Sequence, residues 1–234
     1  MWLRAPSDML AAMSRIRTMH RQPCSVAILA AWVFLQTAIH AADPPEKAPP
    51  AKSPPAENSA KDPRLRRELL EMVRVDQEMR QILMAKGQAI SQAEIEKCVA
   101  VDRRNSGRMK EIVAAHGWPG KSLVGTDGAH AAWLLVQHAD LDTEFQARCL
   151  PLLEAAVKRG EAAAVDAAYL VDRVRVNQKQ PQVYGTQFRL KNDGTYEPQP
   201  IADAEHVDER RRSVGLGTLE EYAKLIGKST KATK

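Results

Sequence analysis

The chain is poor in the groups that most catalytic and metal-binding signatures are built from. It has three cysteines in 234 residues, and none forms a C-x-x-C pair. That removes zinc ribbons and thioredoxin-type redox chemistry. No G-x-S-x-G, H-E-x-x-H or G-x-x-x-x-G-K-[ST] stretch occurs, so the serine elbow, the zincin helix and the phosphate loop are absent too. His116 and His130 show no ligand spacing. In His138-Ala-Asp140 the two polar residues share a face only if the helix has already ended, so neither a metal nor a cofactor is expected. Cys98 and Cys149 lie among apolar neighbours, as unreactive cysteines do. A bridge between them and two buried thiols are both open readings. No internal repeat is visible.

Long apolar runs are also missing. The longest, Val26–Leu35, reads VAILAAWVFL and is short for a membrane span, which needs about 18 residues or more. Arg15, Arg17 and Arg21 precede it and AIHAAD follows. This order of basic, apolar and small residues reads as an export signal over residues 1–42, cut after Ala41 or Ala42. The alternative is an uncleaved anchor over residues 25–42, the chain's one route to a membrane. The protein is therefore expected to be exported, periplasmic or extracellular. Asp43–Pro63 holds seven of the 14 prolines. It has no apolar face, so residues 43–62 are expected to form a disordered, semi-extended linker.

The net charge of +5 suggests nucleic acid until the charges are placed. Most of the excess sits in the N-terminal arginines and in a Lys-rich tail at 228–234. Pro63–Gly227 carries 24 basic and 24 acidic side chains. A balanced surface gives no footprint for a phosphate backbone, and nucleic acid is excluded as a partner.

Residues 63–227 fit one domain. Asp62-Pro63 starts a helix as N-cap and N1, and Leu65, Leu69, Met72, Met79 and Leu83 give it one apolar stripe. Ser91-Gln-Ala-Glu94 is a capping box for a second helix, stopped by Gly117-Trp118-Pro119. KSLVGTDG reads as a loop before a third helix, capped by Thr126 or Asp127. Asp142 caps a fourth, which Pro151 kinks or splits, and a fifth runs from about Ala163 to Val176. QVYGTQFRL and TYEPQPI flank Asn192-Asp193-Gly194, a hairpin signal. Asp203 is expected to cap a short helix, and Thr218-Leu-Glu-Glu221 opens a last one, to Ile226. The fold class is mostly α: a single helical domain of about six or seven helices with one small β-hairpin.

Polar residues interrupt the apolar stripes. Asp76 stands between Met72 and Met79 on the first; Asp102 and Asn105 stand between Cys98 and Met109 on the second. A buried carboxylate without partners costs several kcal/mol, so these faces meet donors or a polar pocket. The donors on offer are Arg80, one turn past Asp76, together with Gln137, His138, Arg173 and Gln187. Asp140 ends the third helix, Tyr169 shares a face with Arg173, and Tyr184 opens YGTQ. All are expected in one connected cluster, with Tyr169 and Tyr184 at its edge. Against this, Asp76–Arg80 is commonplace as a structural ion pair, and a histidine at a helix end is usually a cap or surface group.

GWP at 117–119, LVG at 123–125, AAWLLVQHAD, FQARCLPLL, AYLVDRV, PQVYGTQ and the late VDERR, VGL and LEEY run in that order. With Asp76-Gln77-x-x-Arg80 and Asp102-x-x-Asn105, the chain resembles an uncharacterised bacterial family, a domain of unknown function often found in exported proteins. The resemblance covers roughly Leu65–Tyr222. It implies a domain boundary and no activity. Two functions are weighed. One is a binding or scaffold domain of the cell envelope, holding a small sugar, peptide or cell-wall ligand through Arg80, Asn105, Gln137, Asp140, Tyr169, Arg173, Tyr184 and Gln187. The other is a hydrolase or lyase of envelope material, with Asp76, Asp102 and His138 as acid–base groups and Arg173 or Gln187 stabilising developing charge.

Overall fold

The computed structural model describes residues 60–86, 89–191, 193 and 195–231. The signal and most of the linker expected from the sequence lie outside the described residues. Among the described residues, seven α-helices and one two-stranded antiparallel sheet follow in order, so the mostly α fold class holds. Among the described residues, no helix is long and apolar enough to cross a membrane.

Helix α1 spans Pro63–Lys86. Asp62 starts it by accepting the N–H groups of Arg64 (3.1 Å) and Leu65 (2.9 Å) on Oδ1. Helix α2, Gln92–His116, opens on the Ser91–Glu94 capping box and ends at Gly117, whose φ of 67° suits a glycine. Helix α3, Lys121–Gln137, starts earlier than the sequence suggests. KSLVGTDG is only in part a loop: Lys121–Val124 form a short helical stretch, and non-helical Gly125 (φ 77°, ψ 170°) separates it from the longer helix that runs on to Gln137. Asp127 does not cap. It takes Arg66 of α1 instead, at 2.8 and 2.6 Å, and so clamps two helices together.

Helix α3 is the centre of the domain. From Ala129 to Gln137 nearly every side chain is buried, as a helix surrounded by others requires. Helix α1 runs parallel to it. Lys61 and Asp62 donate to the Ser122 and Leu123 carbonyls (3.2 and 2.8 Å) at one end, and Asp76 meets His138 at the other. Helix α2 runs antiparallel to α1, tied by Arg108–Glu68 and Lys86–Glu94. Helix α4, Thr143–Lys158, is capped by Asp142. Pro151 lies inside it without splitting it. Helix α5, Ala164–Asn177, packs against α4.

The hairpin is shorter than the sequence suggests. Strands β1 (Phe188–Leu190) and β2 (Tyr196–Pro198) pair in the register Phe188↔Pro198, Arg189↔Glu197, Leu190↔Tyr196. Of the expected turn, Asn192 and Gly194 lie outside the described residues, while Asp193 accepts the Thr195 N–H at 2.9 Å. YGTQ is not strand. Gly185 takes a φ of 67°, and the N–H groups around it turn to a side chain described below. A 3-10 turn (Ala204–His206) and α6 (Val207–Ser213) follow. Asp203 does not cap them: its backbone is left-handed (φ 46°) and its carboxylate pairs with His206 and Arg210. Helix α7, Leu219–Lys231, opens on the Thr218–Glu221 capping box and runs past Ile226 into the lysine-rich tail.

Trp118 and Trp133 are core residues, as are Cys98 and Cys149. Both cysteines are free thiols. Burial pushes the Cys98 thiol up to about 11 and that of Cys149 to about 12.

Candidate functional site

Asp76, Arg80, Asp102 and His138 meet where α1, α2 and the end of α3 converge. The Asp76 carboxylate takes Arg80 Nη2 on Oδ1 at 2.9 Å, and His138 Nδ1 (2.8 Å) and Gln77 Nε2 (2.8 Å) on Oδ2. Arg80 Nη2 also reaches Asp102 Oδ1 at 2.7 Å. One guanidinium thus bridges two carboxylates on neighbouring helices, and all four side chains are buried.

A second arm starts two residues beyond His138. Asp140 accepts Arg173 Nη1 at 3.2 and 3.1 Å and Gln146 Nε2 at 3.1 Å. Gln146 caps the end of α3 by donating to the Val136 and Gln137 carbonyls (3.2 and 3.1 Å), and it accepts Asn177 Nδ2 at 2.9 Å. The two arms share one field: Asp140 acts on Asp102, and Arg173 on His138. Asp140 is the rim of the group, with 32% of its side chain exposed.

The environment drives the two aspartates apart. His138 and Arg80 outweigh burial at Asp76 and hold it well below the usual carboxylate range. At Asp102, burial and the charges of Asp76 and Asp140 outweigh Arg80, already engaged by Asp76, and push the carboxyl up to about 7. Burial, then Arg80, lowers His138 against the pull of Asp76. His138 Nδ1 faces the Asp76 carboxylate across this contact.

The side chains of two further expected members have no hydrogen-bond partner among the described residues. Asn105 lies one turn along α2 from Asp102, and Gln137 immediately precedes His138. Both are buried, and neither carboxamide has its nitrogen or its oxygen paired. The indole N–H groups of Trp118 and Trp133 are also unpaired, but each is a single donor on an otherwise apolar ring.

Tyr184 and Gln187 are not brought to Asp76; a second network holds them. Asp172, fully buried on α5, accepts the N–H groups of Val183 (2.6 Å), Tyr184 (3.0 Å) and Thr186 (2.9 Å) and the Thr186 hydroxyl (2.9 Å). Gln182 donates to the Gln187 and Gln199 carbonyls (2.9 and 2.8 Å) and accepts the Gln187 N–H at 2.8 Å. The Gln187 amide reaches Thr186 Oγ1 at 2.7 Å. Arg211 seals the loop from α6, on the Tyr184 and Gly217 carbonyls. Tyr169 stands between the networks in an aromatic column, edge-on to Trp133 (5.9 Å) and Tyr222 (6.3 Å).

Sequence reasoning missed Asp172, Gln146 and Gln182. The signal that exposed Asp76 would have found two of them. Asp172 continues the spacing Val165, Ala168 along α5, and Gln146 precedes Cys149 and Leu153 at three and seven along α4. Gln182 lies in irregular chain, where no periodicity marks it. Among the described residues, no three His, Cys, Asp or Glu side chains converge as a metal-binding group.

Fold and site together define a helical domain built around a buried, ionised polar group. The chain belongs to a family of unknown function, DUF6624, whose pattern matches residues 63–232. No curated protein and no solved structure matches it.

The raised Asp102 has a consequence for stability. Its folded pKa, about 7, lies above the ordinary carboxylate value of 3.8. Its contribution is therefore complete below about pH 4 and is lost as pH rises through about 7. Asp102→Asn keeps the shape and removes the titration. The variant is expected to melt close to the parent at pH 5 and above it at pH 8, as followed by circular dichroism. A variant that is less stable than the parent at pH 8 would refute this assignment.

Proposed function

We propose that this is an exported envelope domain that binds a small polar ligand, a sugar or a peptide fragment, at the Asp76–Arg80–Asp102–His138 group. One observation carries the reading: Asn105, one turn from Asp102, and Gln137, next to His138 in sequence, are buried and leave both ends of their carboxamides unpaired among the described residues. A buried unpaired amide costs about 1–3 kcal/mol. A purely structural network is expected to pair such groups or replace them with apolar ones. Two unpaired carboxamides, one a turn from Asp102 along α2 and one next to His138 in sequence, suit a ligand that brings its own donors and acceptors. The basic, apolar and small-residue order of residues 1–42 supports export.

Gln137→Met tests this with a change of sign. Methionine fills a similar volume without the amide. The variant is expected to melt higher than the parent, by about 2–6 °C, and to lose ligand binding in a calorimetric screen of sugars and short peptides. A lower melting temperature would make Gln137 a structural residue and remove the argument.

A second reading, a hydrolase or lyase of envelope material, is favoured by the pairing of His138 with Asp76 beside a carboxyl that is part-protonated at neutral pH. Such a pair can supply a base and an acid. His138→Gln tests this reading, since it would abolish any turnover that the parent shows.

A further inference from the structure

With Asp102 ionised, the polar group holds more carboxylates than guanidiniums. Asp76, Asp102 and Asp140 supply three carboxylates; Arg80 and Arg173 supply two guanidiniums. Burial, then Arg80, works against a charge on His138, while Asp76 works for it. The shortfall falls on one residue. Asp76 has Arg80, His138 and Gln77, and Asp140 has Arg173 and Gln146. Asp102 accepts from Arg80 through Oδ1 alone, and among the described residues nothing donates to its Oδ2. The groups acting on Asp102 are Arg80 and Asp76 from α1 and Asp140 from beyond α3, and Asp102 in turn acts on the Cys98 thiol one turn back on α2. Arg80 is the one cation among them, and Asp76 shares it. The unpaired carboxamide of Asn105 lies one turn further along α2.

We propose that the ligand carries a protonated primary amine that docks on Asp102 Oδ2, while Asn105 and Gln137 hydrogen-bond its neighbouring hydroxyl or amide groups. The proposal rests on the binding reading above and names the class of ligand. An ammonium brings the charge that the group lacks, with three donors on a compact head. An anion would add to the surplus carboxylate, and a neutral ligand would leave it in place. Because the Asp102 carboxyl holds its proton up to about pH 7, docking of the cation at lower pH transfers that proton to the buffer and leaves a carboxylate–ammonium pair.

The test is isothermal titration of the full chain with two matched pairs, glucosamine against N-acetylglucosamine and alaninamide against N-acetylalaninamide. Each pair differs only in whether the amine is charged or acylated. The charged member is expected to bind at least about tenfold more tightly. Its affinity should rise from about pH 5.5 to about pH 7 as Asp102 loses its proton. At about pH 6, the heats in buffers of different ionisation enthalpy should report proton release. Asp102→Asn should abolish the preference for the charged member. Equal or tighter binding of the acetylated members would overturn the proposal and leave the binding reading standing. Binding by none of the four also overturns it, and the melting shift of Gln137→Met then decides the binding reading on its own.

Discussion

Replacing Arg80 with leucine is expected to lower the melting temperature by roughly 10 °C, the consequence of losing about 3–5 kcal/mol in a domain of this size. Arg80 is the only cation shared by Asp76 and Asp102, at 2.9 and 2.7 Å. Without it Asp76 keeps His138 and Gln77, but Asp102 keeps nothing. Asp102 would then stay protonated to still higher pH, so the loss should be larger at pH 8 than at pH 5. Arg80→Lys should recover only part of the stability, because one ammonium cannot reproduce the Nε and Nη2 contacts that Arg80 spreads over two carboxylates. The double variant Arg80→Leu, Asp102→Leu should be more stable than Arg80→Leu alone, since it removes the orphaned carboxyl with its partner. Thermal melts of the four proteins at two pH values check this. An Arg80→Leu protein that melts with the parent would mean that the group is solvated rather than buried.

Asp172→Ala is expected to cost a similar amount, about 3–5 kcal/mol, by a different route. Its carboxylate is the common acceptor for three backbone N–H groups and one hydroxyl of the Val183–Thr186 loop. Alanine orphans all four donors at once. The damage should be local as well as global. Hydrogen exchange at Val183, Tyr184 and Thr186 should accelerate far more than exchange at Leu134 and Leu135 in the centre of α3. Asp172→Asn should be intermediate: one oxygen still accepts, but its NH2 group faces donors. Unchanged exchange in the loop of the alanine variant would show that other contacts, such as Arg211 on the Tyr184 carbonyl, suffice to hold it.

These two residues mark the reach of sequence reasoning. Asp76, Asp102 and Asn105 were legible because they interrupt stripes whose spacing is otherwise apolar, and a helix of regular pitch puts every residue of such a stripe on one face. The donors could be named as a set for a second reason: a buried carboxylate needs partners, whatever the fold. Their assignment to partners was not legible. Gln187 and Tyr184 stood as equal candidates with Arg80 and His138, yet they fold onto Asp172. The loop that carries them bends at Gly185, where an added Cβ would meet Leu219 and Ile201 side chains at 2.8 and 2.9 Å. That constraint is set by residues distant in sequence.

Caps and stripes follow the same division. The ends marked by Asp62, Ser91, Asp142 and Thr218 stand where the sequence places them, because an N-cap acts within four residues of itself. The start of α3 and the role of Asp203 do not. Asp127 and Asp203 have the right chemistry to cap, but Arg66, His206 and Arg210 claim their carboxylates. By itself, then, the sequence determined the helical class, most helix starts, and the burial of three polar side chains, since all of these depend on contacts within one or two turns. Only the tertiary structure decided which carboxylate each cation serves, and left Asp102 with half its hydrogen-bonding capacity open. Those outcomes depend on the packing of α1, α2 and α3 at a common level, which no local spacing encodes.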